Sequence, residues 1–424
     1  MIPIHYLNDL QSHGMPDGAP RGFILGRKKT GAECEAAVRP IIDAVRQEKD
    51  AALLRYAREL DGIGDLPLKV SEEELVTAAA LMSPEVCLAA KKAIENIRQF
   101  AEAQLPRERF EEFSPGRKLG WIVRPLGAVG CYVPSGRYPL PSTLLMTAVL
   151  AQTAGVGRIC VTSPHPSVEI LGCARMLGIQ EVYRVGGAQA IAAMAYGTET
   201  IPRVDRIVGP GNAYVAAAKK IVAGDAGIDF LAGPTEILIL AEKGDPRLIA
   251  ADMLAQAEHD VSARALLFTT SRGLADGVAA EIDRQLGTLP TAEVARQSIE
   301  NSSAIMVFCD IEHALVCANM VAPEHLSLHD AALLPKITNA GTVFLGPHSP
   351  ESAGDYAAGP SHVLPTGGAA RLRGGLSVTD FVKIIAIQEF SSQGLRELAP
   401  AITTLARAEG LEAHARAVEV RSAS

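Results

Sequence analysis

Four residues in the C-terminal half of the chain have side chains that could together hold a metal ion. Gln256 and His259 lie three positions apart in residues 248–261, where apolar residues recur at helical spacing. Residues three apart share one face of a helix, so we expect both side chains to reach the same ion. Asp355 lies in a predicted loop, and His414 lies near the end of a predicted helical tail. One amide oxygen, two imidazoles and one carboxylate suit zinc or manganese, although a histidine of this kind more often faces solvent or packs in a core.

Glu324 and His325 are adjacent on the chain and offer two groups for proton transfer. Neighbouring side chains diverge on a strand or a helix, so we expect a loop after Pro323 to let both reach one substrate. An imidazole with a pKa of about 6.5 can take a proton from an alcohol near neutral pH, and a carboxylate can activate water. From these residues alone, the alternative is a solvated glutamate beside a histidine that caps a helix.

Short β-branched segments alternate with helical segments from residue 121 onward. This alternation predicts an α/β fold with a parallel, doubly wound sheet. Before it, residues 33–60 and 71–111 show helical periodicity, and residues 1–30 are polar and glycine-rich. The predicted strands are 121–123, 127–133, 158–162, 181–185, 206–208, 236–241, 265–269, 304–308 and 342–345.

A Gly-Pro-Gly turn at 209–211 precedes a predicted helix over 213–222. The N-terminus of such a helix can bind an anion. The third glycine of the usual dinucleotide signature is absent, however. A tight turn without a ligand is therefore an equal alternative for these residues.

Length and composition exclude several classes of protein. A chain of 424 residues is long for one core, so two large domains are expected. The net charge of −8, without a large Lys/Arg cluster, argues against partners such as nucleic acid or a membrane surface. Seven dispersed cysteines and a start without a signal-peptide pattern predict a cytoplasmic protein. The uncharged residues 138–157 contain prolines and several polar groups, which favours a buried helix over a membrane span.

Several strings resemble the histidinol dehydrogenases, the enzymes that finish histidine biosynthesis. They occur in the order expected for that family, and the resemblance covers nearly the whole chain. Independent strings in one order are more specific than any single motif. The strings are VGPGNAYVAAAKK (208–220), GIDFLAGPTE (227–236), LAQAEHD (254–260), VAPEHLSL (321–328), SPESAGDYAAGPSHVLPT (349–366) and EGLEAH (409–414).

The resemblance implies an α/β fold of two related, incomplete Rossmann-like (doubly wound) domains with short N- and C-terminal arms. An internal echo points the same way, because the triplet at 150–152 recurs at 254–256, each time ahead of a buried strand. The expected boundaries are 1–25 for the N-terminal arm, 26–125 with 235–377 for the first domain, 126–234 for the second, NAD-binding domain, and 378–424 for the C-terminal helical arm.

The same resemblance implies a zinc-dependent conversion of L-histidinol to L-histidine by two NAD-dependent oxidations through histidinal. His325 would be the base in both hydride transfers, and Glu324 would deprotonate the water that adds to the aldehyde. Zinc, or manganese in its place, would hold the imidazole and amine of the substrate. The implied metal ligands are Gln256, His259, Asp355 and His414. The implied substrate contacts are Thr235, Gln256, His259, His325, Asp355, His362, Glu409 and His414, and the implied NAD contacts are Tyr132, Gln189 and Asn212.

The C-terminal arm bears on assembly. Apolar residues between 395 and 411 form a face with little core of its own to cover. A two-fold dimer is the commonest way to cover such a face. The resemblance likewise implies an intertwined homodimer with shared active sites, in which His414 ligates the metal of the other chain.

Three departures from the family pattern leave the substrate open. Ser135 replaces a common glycine, Thr235 replaces a common serine, and Pro360-Ser361 replaces a frequent Thr-Asn pair. None removes a catalytic or metal-binding group. One alternative is a paralogous NAD-dependent dehydrogenase of another amino alcohol or diol. Another is a metal-dependent binding protein without turnover, against which the Glu324-His325 pair argues.

Overall fold

Two parallel sheets form the centre of the protein. The computed structural model describes residues 1–7, 10–11, 15–16, 32–135, 138–231 and 233–422. The predicted N-terminal arm, 1–25, lies largely outside these ranges. The strands are β1 (Ile4–Tyr6), β2 (Leu10–Gln11), β3 (Met15–Pro16), β4 (Arg109–Ser114), β5 (Arg117–Pro125), β6 (Ala128–Tyr132), β7 (Arg158–Thr162), β8 (Val182–Tyr183), β9 (Arg206–Val208), β10 (Gly227–Ile228), β11 (Glu236–Leu240), β12 (Arg264–Thr269), β13 (Ala304–Val307), β14 (His325–Leu328), β15 (Thr342–Leu345) and β16 (Val382–Phe390).

The two parallel sheets share one topology. The first has the order β1-β13-β12-β11-β14-β15, and the second has the order β10-β9-β6-β7-β8. Apart from β1, which pairs with β13 at the edge of the first sheet, the chain in each sheet starts at a central strand, adds two strands on one side, and then returns to add two on the other. The direction of winding therefore reverses between β11 and β14 in the first sheet and between β6 and β9 in the second. This shared order confirms the predicted doubly wound α/β fold with two related units.

Helices cover both faces of each sheet, and a buried cluster of apolar side chains fills each face. Local sequence sets several helix starts. Ser71 forms a capping box with Glu74, and Ser83 caps the next helix, which opens with Pro84. The helices are α1 (Ala32–Glu48), α2 (Asp50–Leu60), α3 (Glu72–Leu81), α4 (Pro84–Gln104), α5 (Pro141–Thr153), α6 (Val168–Met176), α7 (Gly187–Tyr196), α8 (Ala213–Val222), α9 (Pro246–Ala257), α10 (Arg272–Leu286), α11 (Ala292–Asn301), α12 (Ile311–Val321), α13 (Glu351–Tyr356), α14 (Ser392–Ala408) and α15 (Glu412–Ser422).

The packing of α1 to α4 differs from the expected domain grouping. Apolar residues of α1 and α2, such as Ile42 and Leu53, share a buried cluster with the five-stranded sheet. Those of α3 and α4, such as Leu75 and Ile97, fill the opposite face of that same sheet. The sequence grouped residues 26–125 with the six-stranded sheet, whereas these helices bury their apolar side chains against the other one.

The C-terminal arm is only partly helical. It includes the nine-residue strand β16, which pairs antiparallel with β5, and β5 pairs with β4. Helices α14 and α15 follow and pack against each other. Several large apolar side chains of β16 and these helices are exposed, with Leu405 65% and Ile384 58% exposed in the isolated chain. This arm therefore presents an uncovered apolar surface.

The predicted strands are all present, with shifts of a few residues at their ends. The residues with helical periodicity over 71–111 form two helices, α3 and α4, because Ser83-Pro84 starts a new helix, and residues 109–111 belong to strand β4. The uncharged stretch 138–157 forms the buried helix α5. Among the residues described, none of the helices combines the length and apolar character needed to span a membrane.

Candidate active site

A cleft of about 380 Å³ lies between the two sheets. Its walls include Asn212 from the second sheet and Thr235, Glu324 and His325 from the first. The second sheet contributes loops that follow the carboxyl ends of β6 and β9. The first sheet contributes residues at the amino ends of β11 and β14. Both contributions come from the point where the winding of a sheet reverses. The contribution of the second sheet lies on the carboxyl-end side of that point, which is where α/β proteins bind ligands.

Glu324 and His325 are both buried at the start of β14. The expected loop is wrong for His325, which is the first residue of that strand and is aligned with Ile237 of β11. The two side chains nevertheless line one cleft, and Ala322, in a left-handed conformation, turns the chain just before them. The Nδ1 atom of His325 lies 3.8 Å from Oε2 of Glu324.

Backbone and hydroxyl groups fix these two side chains. Oε2 of Glu324 is 2.6 Å from the Thr235 hydroxyl and accepts a hydrogen bond from the Glu236 amide at 2.9 Å. Nδ1 of His325 lies 3.2 Å from the carbonyl oxygen of Glu236. A carbonyl only accepts, so Nδ1 carries the proton and Nε2 carries the lone pair. Nε2 is buried and has no hydrogen-bond partner in the described part of the chain.

Burial also sets the protonation of the pair. It lowers the pKa of His325 to about 4, so the imidazole is neutral at pH 7. It raises the pKa of Glu324 to about 8, despite the hydrogen bonds from Thr235 and Glu236 that favour the ionised form. In the protein without a bound cation, His325 is therefore a neutral base and Glu324 retains a proton.

Residues predicted as metal ligands lie next to this pair. His259 Nε2 is 3.8 Å from Oδ2 of Asp355, and His325 Nε2 is 3.8 Å from Oδ1 of Asp355. Ligand atoms of His259, Asp355 and Glu351 all lie within 4.8 Å of one another. Gln256 is buried, and its side-chain amide lies 2.9 Å from the hydroxyl oxygen of Thr235. This nitrogen and oxygen donor set fits zinc or manganese.

Two local expectations about these ligands are corrected. Helix α9 ends at Ala257, so His259 lies beyond it, in a turn where the His259 amide donates to the Gln256 carbonyl at 3.4 Å. His259 lines the cleft together with Thr235, which the amide of Gln256 contacts. Asp355 lies on the short helix α13 and not in a loop. Residues 351 and 355 therefore share a face of that helix.

His362 and Thr235, two of the predicted substrate contacts, line the same cleft. Nδ1 of His362 is 2.7 Å from the backbone oxygen of Asp355, and its Nε2 is 3.3 Å from the Thr143 hydroxyl. Burial lowers the pKa of His362, so its ring is neutral at pH 7. Thr143 was not singled out from the sequence.

Glu409 and His414 are not brought to the cleft within one chain. Both side chains are exposed on the C-terminal arm. Glu409 follows α14, and His414 lies in the first turn of α15, not near the end of a helical tail. The glycine at 410, with a φ of 78°, breaks the predicted single helix into two. A site that used these residues would take them from a second copy.

The three predicted NAD contacts lie at the carboxyl edge of the second sheet. Tyr132 is the last residue of β6, and its hydroxyl accepts a hydrogen bond from the Gly187 amide at 3.2 Å. Asn212 caps α8, the helix that the sequence predicted after that turn. Gln189 is buried, donates to Asp61 at 3.0 Å, and has an amide oxygen without a partner in the described residues. That buried free acceptor fits a hydroxyl-bearing ligand such as a nucleotide.

A buried ion pair, which the sequence analysis did not identify, holds the Gly209 turn. Lys219 Nζ donates to the carbonyl of Gly209 and to Asp229, each at 2.6 Å, and Asp229 accepts from the Gly209 amide at 2.8 Å. Gly209 has a φ of 111°, and a Cβ there would lie 2.1 Å from the carbonyl oxygen of Tyr132. The glycine is therefore required where the turn approaches β6.

Glu351 is a further site residue that the sequence analysis missed. It is 2% exposed, and its Oε1 lies 3.3 Å from Nδ1 of His325. The signal was its spacing of four from Asp355, which went unused because a loop was expected there.

The comparisons with known proteins cover nearly the whole chain. A family model described as histidinol dehydrogenase matches residues 26–422. A histidinol dehydrogenase of Geobacter sulfurreducens is 47% identical over 94% of this chain and 96% of its own length. One from Thermus thermophilus is 49% identical over 91% of this chain and 94% of its own. The crystal structure of histidinol dehydrogenase from Elizabethkingia anophelis is 36% identical and superposes with a TM-score of 0.94 over 99% of this chain and 98% of that one. The chain belongs to the histidinol dehydrogenase family.

Proposed function

We propose that this protein oxidises L-histidinol to L-histidine in two NAD-dependent steps. In the first step the alcohol loses a hydride to NAD and a proton to the protein, which gives histidinal. In the second step water adds to the aldehyde, and the hydrate loses a hydride to a second NAD and a proton to the protein. The observation that carries the proposal is the buried His325-Glu324 pair, which faces a cleft walled by both doubly wound sheets.

His325 would accept the proton in each oxidation. The Nδ1 proton is held by the Glu236 carbonyl, which leaves the lone pair on the unpartnered Nε2. A base must be neutral to act, and burial keeps the ring neutral at pH 7 by lowering its pKa to about 4. A proton taken up at such a site is weakly held, so it leaves readily for solvent after the hydride has moved.

Glu324 would remove the proton from water in the second step. The hydrogen bond from Glu236 holds its Oε2 in place beside Thr235. It must be ionised to do so, and its pKa of about 8 in the metal-free protein opposes this. Bound zinc, with manganese as the alternative, would hold the imidazole and amine of the substrate, and its positive charge would favour the ionised form of Glu324.

Gln256, His259 and Asp355 would hold that metal from one chain, and His414 would come from the partner of a homodimer. Thr235, His362 and Glu409 would complete the pocket for the substrate. The uncovered apolar surface of the C-terminal arm supports this assembly, because it carries the exposed His414 and Glu409. A second copy that covers the arm could receive both residues in its own cleft.

NAD would bind where the winding of the second sheet reverses, with Tyr132, Gln189 and Asn212 beside it. The support for this is the position of Tyr132 at the end of β6 and of Asn212 after β9, the two strands that flank the reversal. The positive end of α8 would face the pyrophosphate. The cytoplasmic location inferred from the cysteines remains a prediction.

Absorbance of NADH tests the proposal. Purified protein with zinc, NAD and L-histidinol should form NADH, and L-histidine should appear as the product. Turnover of another amino alcohol or diol, with none of L-histidinol, would instead establish a paralogous dehydrogenase. Metal and ligand binding with no NADH from any of these alcohols would favour a binding protein.

A further inference from the structure

Glu351 is a buried acid that the proposed mechanism does not use. It starts the short helix α13, is 2% exposed, and lies in the same cluster as His259 and Asp355. Burying a carboxyl group is unfavourable unless other groups satisfy it. Two groups that the proposed function requires lie against it: the imidazole of His325 and the amide of Gln256.

The contact between Glu351 and His325 affects which ring nitrogen of His325 carries the proton. Nδ1 of His325 lies between two oxygen atoms, the Glu236 carbonyl at 3.2 Å and Oε1 of Glu351 at 3.3 Å. The ring also stacks on Phe344, with centroids 6.0 Å apart. Two acceptors on one side of the ring keep the proton on Nδ1 and point Nε2 away from them.

The contact between Glu351 and Gln256 affects the orientation of the Gln256 amide. Its two ends are satisfied when the nitrogen faces Glu351, donating at 2.6 Å to Oε1 and at 3.3 Å to Oε2. The amide oxygen then lies 2.9 Å from the hydroxyl of Thr235, which lines the cleft. In the reverse orientation the amide oxygen would face the carboxyl oxygens of Glu351, so the contacts favour the orientation with the nitrogen toward Glu351.

We propose that Glu351 is a positioning residue that orients two groups at once, the imidazole of His325 and the amide of Gln256. By accepting from the amide nitrogen it turns the Gln256 oxygen toward Thr235, which lines the cleft. By accepting from Nδ1 it leaves the lone pair of His325 on Nε2. The inference rests on the proposed function for the meaning of both orientations.

The test replaces Glu351 with glutamine, which has the same shape but presents an NH2 group as well as an oxygen. The glutamine can keep only one of the two contacts that Glu351 makes with His325 and Gln256. An NH2 group that faces Gln256 favours rotation of the Gln256 amide. We expect zinc affinity, measured on the metal-free protein by equilibrium dialysis, to fall by about 10- to 100-fold. We expect kcat at saturating zinc to fall by a similar factor, with little change in the KM for L-histidinol.

Asp252→Asn is the matched control. The negative charge of Asp252 helps to raise the pKa of Glu351, so the asparagine variant removes one negative charge near Glu351. Asp252 has no hydrogen bond with His325 or Gln256 in the described residues. Zinc affinity and kcat should stay within about twofold of wild type there. Equal losses in the two variants would assign the effect to charge alone and overturn the positioning role.

Unchanged zinc affinity and kcat in a folded Glu351→Gln protein would also overturn the proposal, as would a lower Tm with both quantities intact. If that variant does not fold, Glu351→Asp provides a second test, because it keeps the carboxyl group but moves it back by one methylene. Its zinc affinity and kcat should fall. Wild-type values of both would contradict the proposal. If wild type does not oxidise L-histidinol, the proposed function fails separately, and the zinc measurement still decides the role toward Gln256.

Discussion

At the scale of single residues, burial gives the adjacent Glu324 and His325 opposite behaviour. It disfavours charge on both, so the imidazole loses its proton and the carboxyl group keeps one. The sequence indicated which residues could do chemistry, because their types and the family strings were visible. It could not indicate their protonation, which depends on the Glu236 backbone and on walls contributed by distant segments.

Replacing His325 with asparagine removes the proposed base and keeps a similar shape. We expect kcat to fall by about 10²- to 10⁴-fold, as for the loss of a general base. The bound zinc per chain should stay at the wild-type value, because His325 is not among the proposed ligands. Metal analysis and steady-state NADH formation measure the two quantities. A variant with wild-type turnover would eliminate this role.

The raised pKa of Glu324 predicts a pH-dependent stability in the metal-free protein. The carboxyl group holds its proton to about pH 8 when folded, whereas in the unfolded chain it loses it near pH 4.5. Between these values the unfolded state binds fewer protons, so the free energy of unfolding falls as the pH rises. Urea unfolding of wild type and Glu324→Gln at several pH values gives the comparison. The stability of wild type relative to the variant should decline from pH 4.5 to 8, and a constant difference would refute the raised pKa.

At the scale of elements, most buried strands of the two parallel sheets were predictable, whereas the exposed strands β4 and β16 and the short elements β14 and α13 were not. The strand β14 has four residues, and Pro323 before it suggested a loop. Helix α13 has six residues, too few for helical periodicity to show, so Asp355 was expected in a loop and Glu351 was overlooked. Such short elements exist because neighbouring segments pack on them, and that packing is not visible in local sequence.

The turn at Gly209 provides a test of the NAD edge. In Gly209→Ala the added Cβ would lie 2.1 Å from the Tyr132 carbonyl oxygen, at a φ of 111°. We expect the free energy of unfolding to fall by about 1–3 kcal/mol and the KM for NAD to rise more than the KM for L-histidinol. The control is Gly224→Ala, because a Cβ there meets nothing within 4 Å. A KM for NAD that stays at the wild-type value in the Gly209 variant would separate this turn from cofactor binding.

At the scale of the whole molecule, one chain leaves the proposed site incomplete. Glu409 and His414 are exposed on an arm whose apolar side chains are also uncovered. The sequence indicated this arm but placed His414 near the end of one helix, because the break at Gly410 was not recognised. Which cleft receives the arm depends on the partner chain and is not encoded in any local pattern.

Mixed dimers test the shared site. Refolding His414→Ala together with His325→Asn should give heterodimers with one doubly defective site and one intact site. Random pairing then restores up to about a quarter of wild-type activity. The control pair is His325→Asn with Glu324→Gln, since both defects lie in the same chain's part of the site and no intact site can form. If verified heterodimers of the first pair show no recovery, His414 acts within its own chain.

The central claim is that His325 is the base in both oxidations and that Glu324 activates water only in the second. The yield of NADH per L-histidinol tests it most directly. With enzyme and NAD in excess over substrate, wild type should form two NADH and release L-histidine. Glu324→Gln keeps the base for the first oxidation but lacks the group that activates water, so it should form one NADH and accumulate the aldehyde. Two NADH from that variant at undiminished rates, or equal slowing of both steps, would contradict the account.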